Sequence, residues 1–300
     1  MIDLVVATPV FLDLTFVGLE SLPGLGEERF AAELLRTPGG GAITAVAATR
    51  LGLSAAVAAP LGEDVPGDLV RGALADEGVA WIGTRPAPRT PTTVVMPFGG
   101  DRAMVTVDPG ARALAADVAA HSPRAVAASL DQLFIVPDGS LAFVTCGDDD
   151  GRAYARRPPA ALEGVRALFV NKREALMLTG ETTIEDAGAR LAMLAETVVV
   201  TLAHEGAVSF GFGRSDAFAC EPVANPADTT GAGDLLTGAY IWADLRGAEP
   251  ADCLRWAVLY ATLAVDTPTG IGGAVTEAEL MRAGNALDLV PPPLAGTYSG

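Results

Sequence analysis

Between Asp228 and Leu245 the chain reads Asp-Thr-Thr-Gly-Ala-Gly-Asp-Leu-Leu-Thr-Gly-Ala-Tyr and onward. Gly231, Ala232 and Gly233 carry almost no side chain, so the backbone can turn sharply and present its N–H groups, and an apolar helical pattern follows at once. A helix start has unpaired N–H donors and a positive partial charge, which suits an anion. Asp234 is the acid placed in that turn, where the hydroxyl of a phosphate acceptor can reach it. A carboxylate beside an anion hole points to phosphoryl transfer with Asp234 as the base. A plainer reading fits the same residues: Asp234 only favours the helix start, and the small residues only permit a tight turn.

The elements that must hold this turn are those of an α/β protein. Residues 2–7 read as a short buried strand, with Asp13 in the segment after it. Gly39, Gly40 and Gly41 turn into an apolar helix that ends at Gly52. Leu141–Cys146 reads as a strand running into an acidic loop, Asp148 to Asp150, and a buried strand spans Thr197–Leu202. Leu168–Asn171 reads as a strand entering a helix, with Asn171 and Glu174 spaced as an N-cap and its third-position partner. Strand and helix alternate over most of the chain, the pattern of a doubly wound α/β domain.

Composition narrows the chemistry further. The 300 residues are half hydrophobic, enough for one large domain and its own core. A net charge of −17 speaks against nucleic acid or an anionic membrane as partner. Lys172 is the only lysine, and no Gly-x-x-x-x-Gly-Lys-Ser/Thr surrounds it, which speaks against a P-loop or protein-kinase phosphate site. Cys146, Cys220 and Cys253 are scattered and odd in number, the pattern of reduced thiols. The opening residues carry no signal-peptide pattern, so the expected location is cytoplasmic.

With Asp228-Thr229-Thr230 before it and Leu-Leu-Thr-Gly-Ala after it, the Gly-Ala-Gly-Asp segment resembles the C-terminal signature of the ribokinase-like (PfkB) carbohydrate kinases. Pro38–Gly52 resembles the family's first signature, with Ile43 and Thr44 where the family has an asparagine and its neighbour. The resemblance implies a three-layer α/β/α domain spanning 1–300, with a mainly parallel central sheet and a small β lid at about 14–37 and 90–107. It implies an ATP-dependent kinase acting on a hydroxyl of a sugar or sugar-like molecule. Asp13, Gly39, Gly40, Gly41 and Thr44 would bind that substrate.

The nucleotide would meet Asn171, Glu174, Thr201, His204 and Gly206, with Mg²⁺ held through water by Asn171 and Glu174. Asp228 and Thr230 match one side of a K⁺ site, and lids pair between subunits in several relatives, so a homodimer is expected. Two other functions fit the chain, a nucleoside kinase of the same fold and a catalytically silent binding homologue, the latter supported by Ile43.

Overall fold

The computed structural model describes residues 2–98, 101–220, 223, 231–267 and 270–293. The chain opens with β1 (Leu4–Val6), then crosses into two long strands, β2 (Val10–Val17) and β3 (Glu33–Gly40). α1 (Gly41–Arg50) returns it to β4 (Ala55–Val57), α2 (Val65–Asp76) and β5 (Ala80–Trp81). A second excursion forms β6 (Thr92–Phe98) and β7 (Asp101–Val107), and α3 (Ala115–Ala119) leads back to β8 (Ala125–Ser129) and β9 (Leu141–Thr145).

Then come α4 (Asp148–Ala153), β10 (Ala167–Asn171), α5 (Lys172–Thr179), α6 (Ile184–Leu191) and β11 (Val198–Thr201). The hairpin β12 (Ala207–Gly211) and β13 (Arg214–Phe218) precedes α7 (Ala232–Leu245), α8 (Pro250–Ala264), α9 (Gly270–Gly273) and α10 (Glu277–Ala286).

Among the described residues nine strands make the central sheet, in the order β13-β12-β11-β10-β9-β8-β1-β4-β5. Pairing is parallel from β11 to β5, and the β12–β13 hairpin adds an antiparallel edge. Because a strand's side chains alternate faces, Leu4 and Val6 pack with α1, α7, α8 and α10, while Val5 packs with α3 on the other face. Val144, Leu168, Val170 and Val198 cover α5 and α6 on that second side. Strands apolar on both faces are what a parallel sheet between two helical layers requires. Trp242 and Trp256, both fully buried, meet edge to face at 6.0 Å in the α7–α8 layer.

The remaining strands form a separate sheet in the order β3-β2-β6-β7, with β2 parallel to β6 and the outer pairs antiparallel. This small sheet fits a lid. It begins earlier than the expected bound of about 14: β2 starts at Val10, which pairs with Gly40, so Asp13 stands inside that strand. A second difference concerns Asp148 to Asp150. They open α4 and are not a free loop; three acids in the first turn complement the helix's positive end, and Asp148 also pairs with Arg173 at 3.0 Å.

α1 and α7 cross closely at Gly238, where a Cβ would stand 2.8 Å from Ala47 Cβ and 2.9 Å from the Thr44 carbonyl oxygen. Neither neighbour can give way without moving a helix. Gly238→Ala is therefore expected to destabilise the protein by about 1–2 kcal/mol, the overpacking cost exceeding the gain in helix propensity. Urea unfolding measures this, and equal or greater stability would contradict the crossing.

Candidate active site

The turn before α7 is built on Gly231, whose φ of 79° is a left-handed conformation that costs glycine little. A Cβ at this position would also stand 2.5 Å from Ile43 Cδ1, so side-chain space is closed as well. The first bond of the helix runs from the Leu235 N–H to the Gly231 carbonyl oxygen at 2.9 Å. The N–H groups of Ala232, Gly233 and Asp234 thus precede the helical ladder and point out of its end. Gly233 is exposed, and a Cβ there would meet nothing within 4 Å. This is open backbone with a positive partial charge, suited to an anion.

Asp234 is half-buried in the same turn. Burial is the main cause that pushes its carboxyl from 3.8 up to about 7; the charge of Asp13 adds to this, while the Arg102 guanidinium and the Thr44 hydroxyl pull the other way. Asp13 comes from β2 and Arg102 from β7, so among the described residues the charges that bear on Asp234 come from the small sheet. Arg102 was not singled out from the sequence. It sits in a lid strand, and only the β6–β7 pairing turns it toward the body.

Asp13 is buried at 7% exposure, and its carboxylate lies directly over Gly39, where any Cβ would collide with it. Gly40 takes φ 59° as the N-cap of α1, with Pro9's carbonyl oxygen 2.6 Å from where its Cβ would be, and the Gly41 N–H donates to that same oxygen at 2.9 Å. The three glycines thus let β3 pass under a carboxylate and turn into α1. Thr44, expected against substrate, is 2% exposed and donates its hydroxyl to the Asp234 backbone oxygen at 3.2 Å. It belongs to the support of the turn.

A second group gathers where β10 and β11 end. Asn171 caps α5, accepting from the Glu174 N–H at 2.9 Å, and Glu174 accepts from the Asn171 N–H at 2.8 Å. Glu174 is 8% exposed, and burial, with Asp148 and Asp150 nearby, pushes its carboxyl up to about 7 against the pull of the Asn171 N–H. The capping pattern seen in the sequence is therefore present. It leaves lone pairs on Glu174 for water.

Among the described residues no group of three or more His, Cys, Asp or Glu could hold a metal by itself. Such a donor set fits Mg²⁺ only as an ion that arrives with phosphates and keeps its waters. Thr201 pairs in register with Asn171, so the two lie side by side at the carboxyl edge of the sheet, where open α/β sheets bind ligands. His204 follows, exposed, in a short turn, and Gly206 closes that turn at φ 86° against the β13 backbone. Ala203 holds φ 55°, a left-handed conformation a glycine would take without strain. Asp228 and Thr230 lie outside the described residues, as does the Gly-Gly turn of the β6–β7 hairpin.

A large mainly parallel sheet with helices on both faces thus carries a glycine turn and a carboxylate, beside a four-stranded sheet that fits a lid. The family model for pfkB family carbohydrate kinases matches residues 25–276, and the chain belongs to that family. It is a phosphotransferase acting on a sugar hydroxyl. The chain is 28% identical to a ribokinase of Bacillus subtilis over 272 residues, covering 86% of this chain and 91% of that one. Among solved structures it resembles Arabidopsis thaliana ribokinase complexed with ribose and ATP, with a TM-score of 0.74, 25% identity, and 94% and 99% of the two chains covered. Adenosine kinase from Sinorhizobium meliloti shares the fold at a TM-score of 0.77 and 19% identity, with 95% and 99% covered. Among the described residues no helix is long and apolar enough to cross a membrane.

The raised carboxyl of Asp234 has a consequence for folding. The folded protein keeps that proton up to about pH 7, whereas the unfolded chain loses it near 3.8. The folded state binds more protons in between, so this group's contribution is full below the unfolded value and is lost as pH rises through about 7. Asp234→Asn should therefore gain melting temperature relative to wild type as pH goes from 4 to 8. A difference in melting temperature that is flat with pH would contradict the raised carboxyl.

Proposed function

We propose that the protein transfers the γ-phosphoryl group of ATP to a hydroxyl of a small sugar, with Asp234 as general base. The observation that carries this reading is the juxtaposition of Asp234, its carboxyl poised to titrate near neutrality, with the open N–H groups that begin α7. Asp13, held over Gly39, accepts hydrogen bonds from the sugar's other hydroxyls and fixes its orientation. One hydroxyl then faces Asp234, which takes its proton as the oxygen attacks the phosphorus. The Ala232 and Gly233 N–H groups hold the oxygens of the transferring group, where charge is concentrated. Asn171 and Glu174 order water around Mg²⁺, whose chemistry is to neutralise phosphate charge. Thr201, His204 and Gly206 border the nucleotide, and the lid excludes the water that would otherwise consume ATP.

Two further parts belong to the proposal. A K⁺ ion beside Asp228 and Thr230 supports the anion hole; equal turnover in K⁺, Na⁺ and a bulky organic cation would remove it. Two copies pair through their lids, a reading supported by Met104, Val105 and Val107, which stand exposed on the edge strand β7.

ADP release over a panel of pentoses, hexoses and nucleosides tests the function. A sugar is expected to give the highest kcat/KM, and turnover confined to adenosine or inosine would move the assignment to nucleosides. On the best substrate Asp234→Asn should lose roughly 10²–10⁴-fold in kcat, the usual share of a positioned base, with ATP affinity preserved. A variant near the wild-type rate would reduce Asp234 to a helix-start residue.

A further inference from the structure

Residues that pair in the register of a sheet share a face, and successive residues along a strand alternate faces. In the small sheet Leu12 and Leu14 turn one way and pack with the core that α1, α7 and α8 share. Asp13 turns the other way, over Gly39 and the turn into α1. In register with it stand Thr37 on β3, Thr93 on β6 and, beyond Thr93, Thr106 on β7. One row across all four strands therefore carries a carboxylate and three hydroxyl-bearing side chains on the face of Asp13. The next row on that face, Leu35, Thr15, Val95 and Met104, is mostly apolar. Asp13 and Thr93 are buried at 7% and 6% exposure, and the Thr93 and Thr106 hydroxyl oxygens meet at 3.0 Å.

We propose that Thr93 and Thr106 are specificity-determining residues for the acceptor, binding a second sugar hydroxyl one strand away from the hydroxyl that Asp13 holds. The proposal rests on the reading of Asp13 as the acceptor's anchor and extends recognition beyond it and the glycine turn. Neighbouring strands stand about 4.8 Å apart, so both contacts fall within the span of one sugar ring. The bond between the two threonines uses a single proton, which leaves the other proton and the remaining lone pairs for a ligand. An ionised Asp13 only accepts, whereas the threonine pair can donate and accept, as a sugar hydroxyl does. Together they select an acceptor with hydroxyls at both places. A cross-strand threonine pair can also serve sheet stability alone, and the test separates the two roles.

Calorimetry with Mg²⁺ and a non-hydrolysable ATP analogue measures binding of D-ribose, D-fructose and adenosine, each beside its monodeoxy analogues. The probe that wild type binds most tightly is then taken through the variants. Removing the hydroxyl that meets the threonine pair should weaken binding to wild type about three- to tenfold, the contribution of one neutral hydrogen bond. In Thr93→Val the parent sugar should weaken by the same factor, the penalty at that one deoxy position should vanish, and the penalties at the other positions should persist. Thr93→Ser should keep the wild-type pattern. Thr106→Val, at an exposed position, should reproduce the loss and decides the matter if Thr93→Val does not fold. Thr92→Val, which removes a hydroxyl from the opposite face of β6, should leave every ratio unchanged. If Thr93→Val and Thr106→Val weaken the parent and all deoxy analogues alike, or lower only the melting temperature, the pair is sheet packing and the proposal is overturned. Binding needs no turnover, so a vanished penalty in a protein that phosphorylates none of the probes would retain the threonine pair and overturn the kinase mechanism instead. Binding of none of the three to wild type would contradict the acceptor site itself, and the proposal with it.

Discussion

Two carboxylates, Asp13 and Asp234, share one water-poor site, and most of the surrounding structure answers to that constraint. Burial and the neighbouring charge both resist ionisation of Asp234, so its proton is held to about pH 7. A base with that affinity is well matched to drawing a proton from an alcohol at neutral pH. Against the cost stand the Arg102 charge, the Thr44 hydroxyl and the positive end of α7. Each comes from a different element: a lid strand, α1 and α7 itself. The site exists only when lid, first helix and last helical layer are assembled together.

The sheet supplies the common platform. β10 and β11 end side by side at Asn171 and Thr201, β1 hands the chain to the lid that carries Asp13, and Phe169 of β10 meets Tyr240 of α7 edge to face at 5.2 Å. Glycine appears where backbone must approach something rigid: Gly39 beneath a carboxylate, Gly231 against Ile43, Gly238 at the α1–α7 crossing. A side chain at any of these would separate two halves of the site.

Much of this was legible in the chain. The Gly-Ala-Gly-Asp segment announced a helix start with an acid in its first turn. The alternation of strand and helix patterns announced a doubly wound α/β domain, and the resemblance added the mainly parallel sheet, whose strands are apolar on both faces. Asn171 and Glu174 were readable as a cap from their spacing alone. What escaped the sequence was set by distant pairing. Asp13 could be placed only in the segment after the first strand, because its pairing with Thr37, which makes it part of the small sheet, is not local. Thr44 was expected at the substrate through the family resemblance, and nothing local says that its hydroxyl also donates to α7, 190 residues on. Arg102 acquired meaning only when β7 folded over the sheet. The acidic run at Asp148 looked like a loop, since three adjacent acids suggest solvent before they suggest a helix's first turn.

The central claim is that Asp234 and the head of α7 act on the same phosphoryl group. A crystal structure with the best acceptor, Mg²⁺ and a non-hydrolysable ATP analogue tests it most directly. The account predicts one acceptor hydroxyl within about 2.6–3.2 Å of an Asp234 carboxylate oxygen and the terminal phosphate on the N–H groups of Ala232 and Gly233. An acceptor whose hydroxyls all point away from Asp234, or a terminal phosphate seated elsewhere, would contradict it.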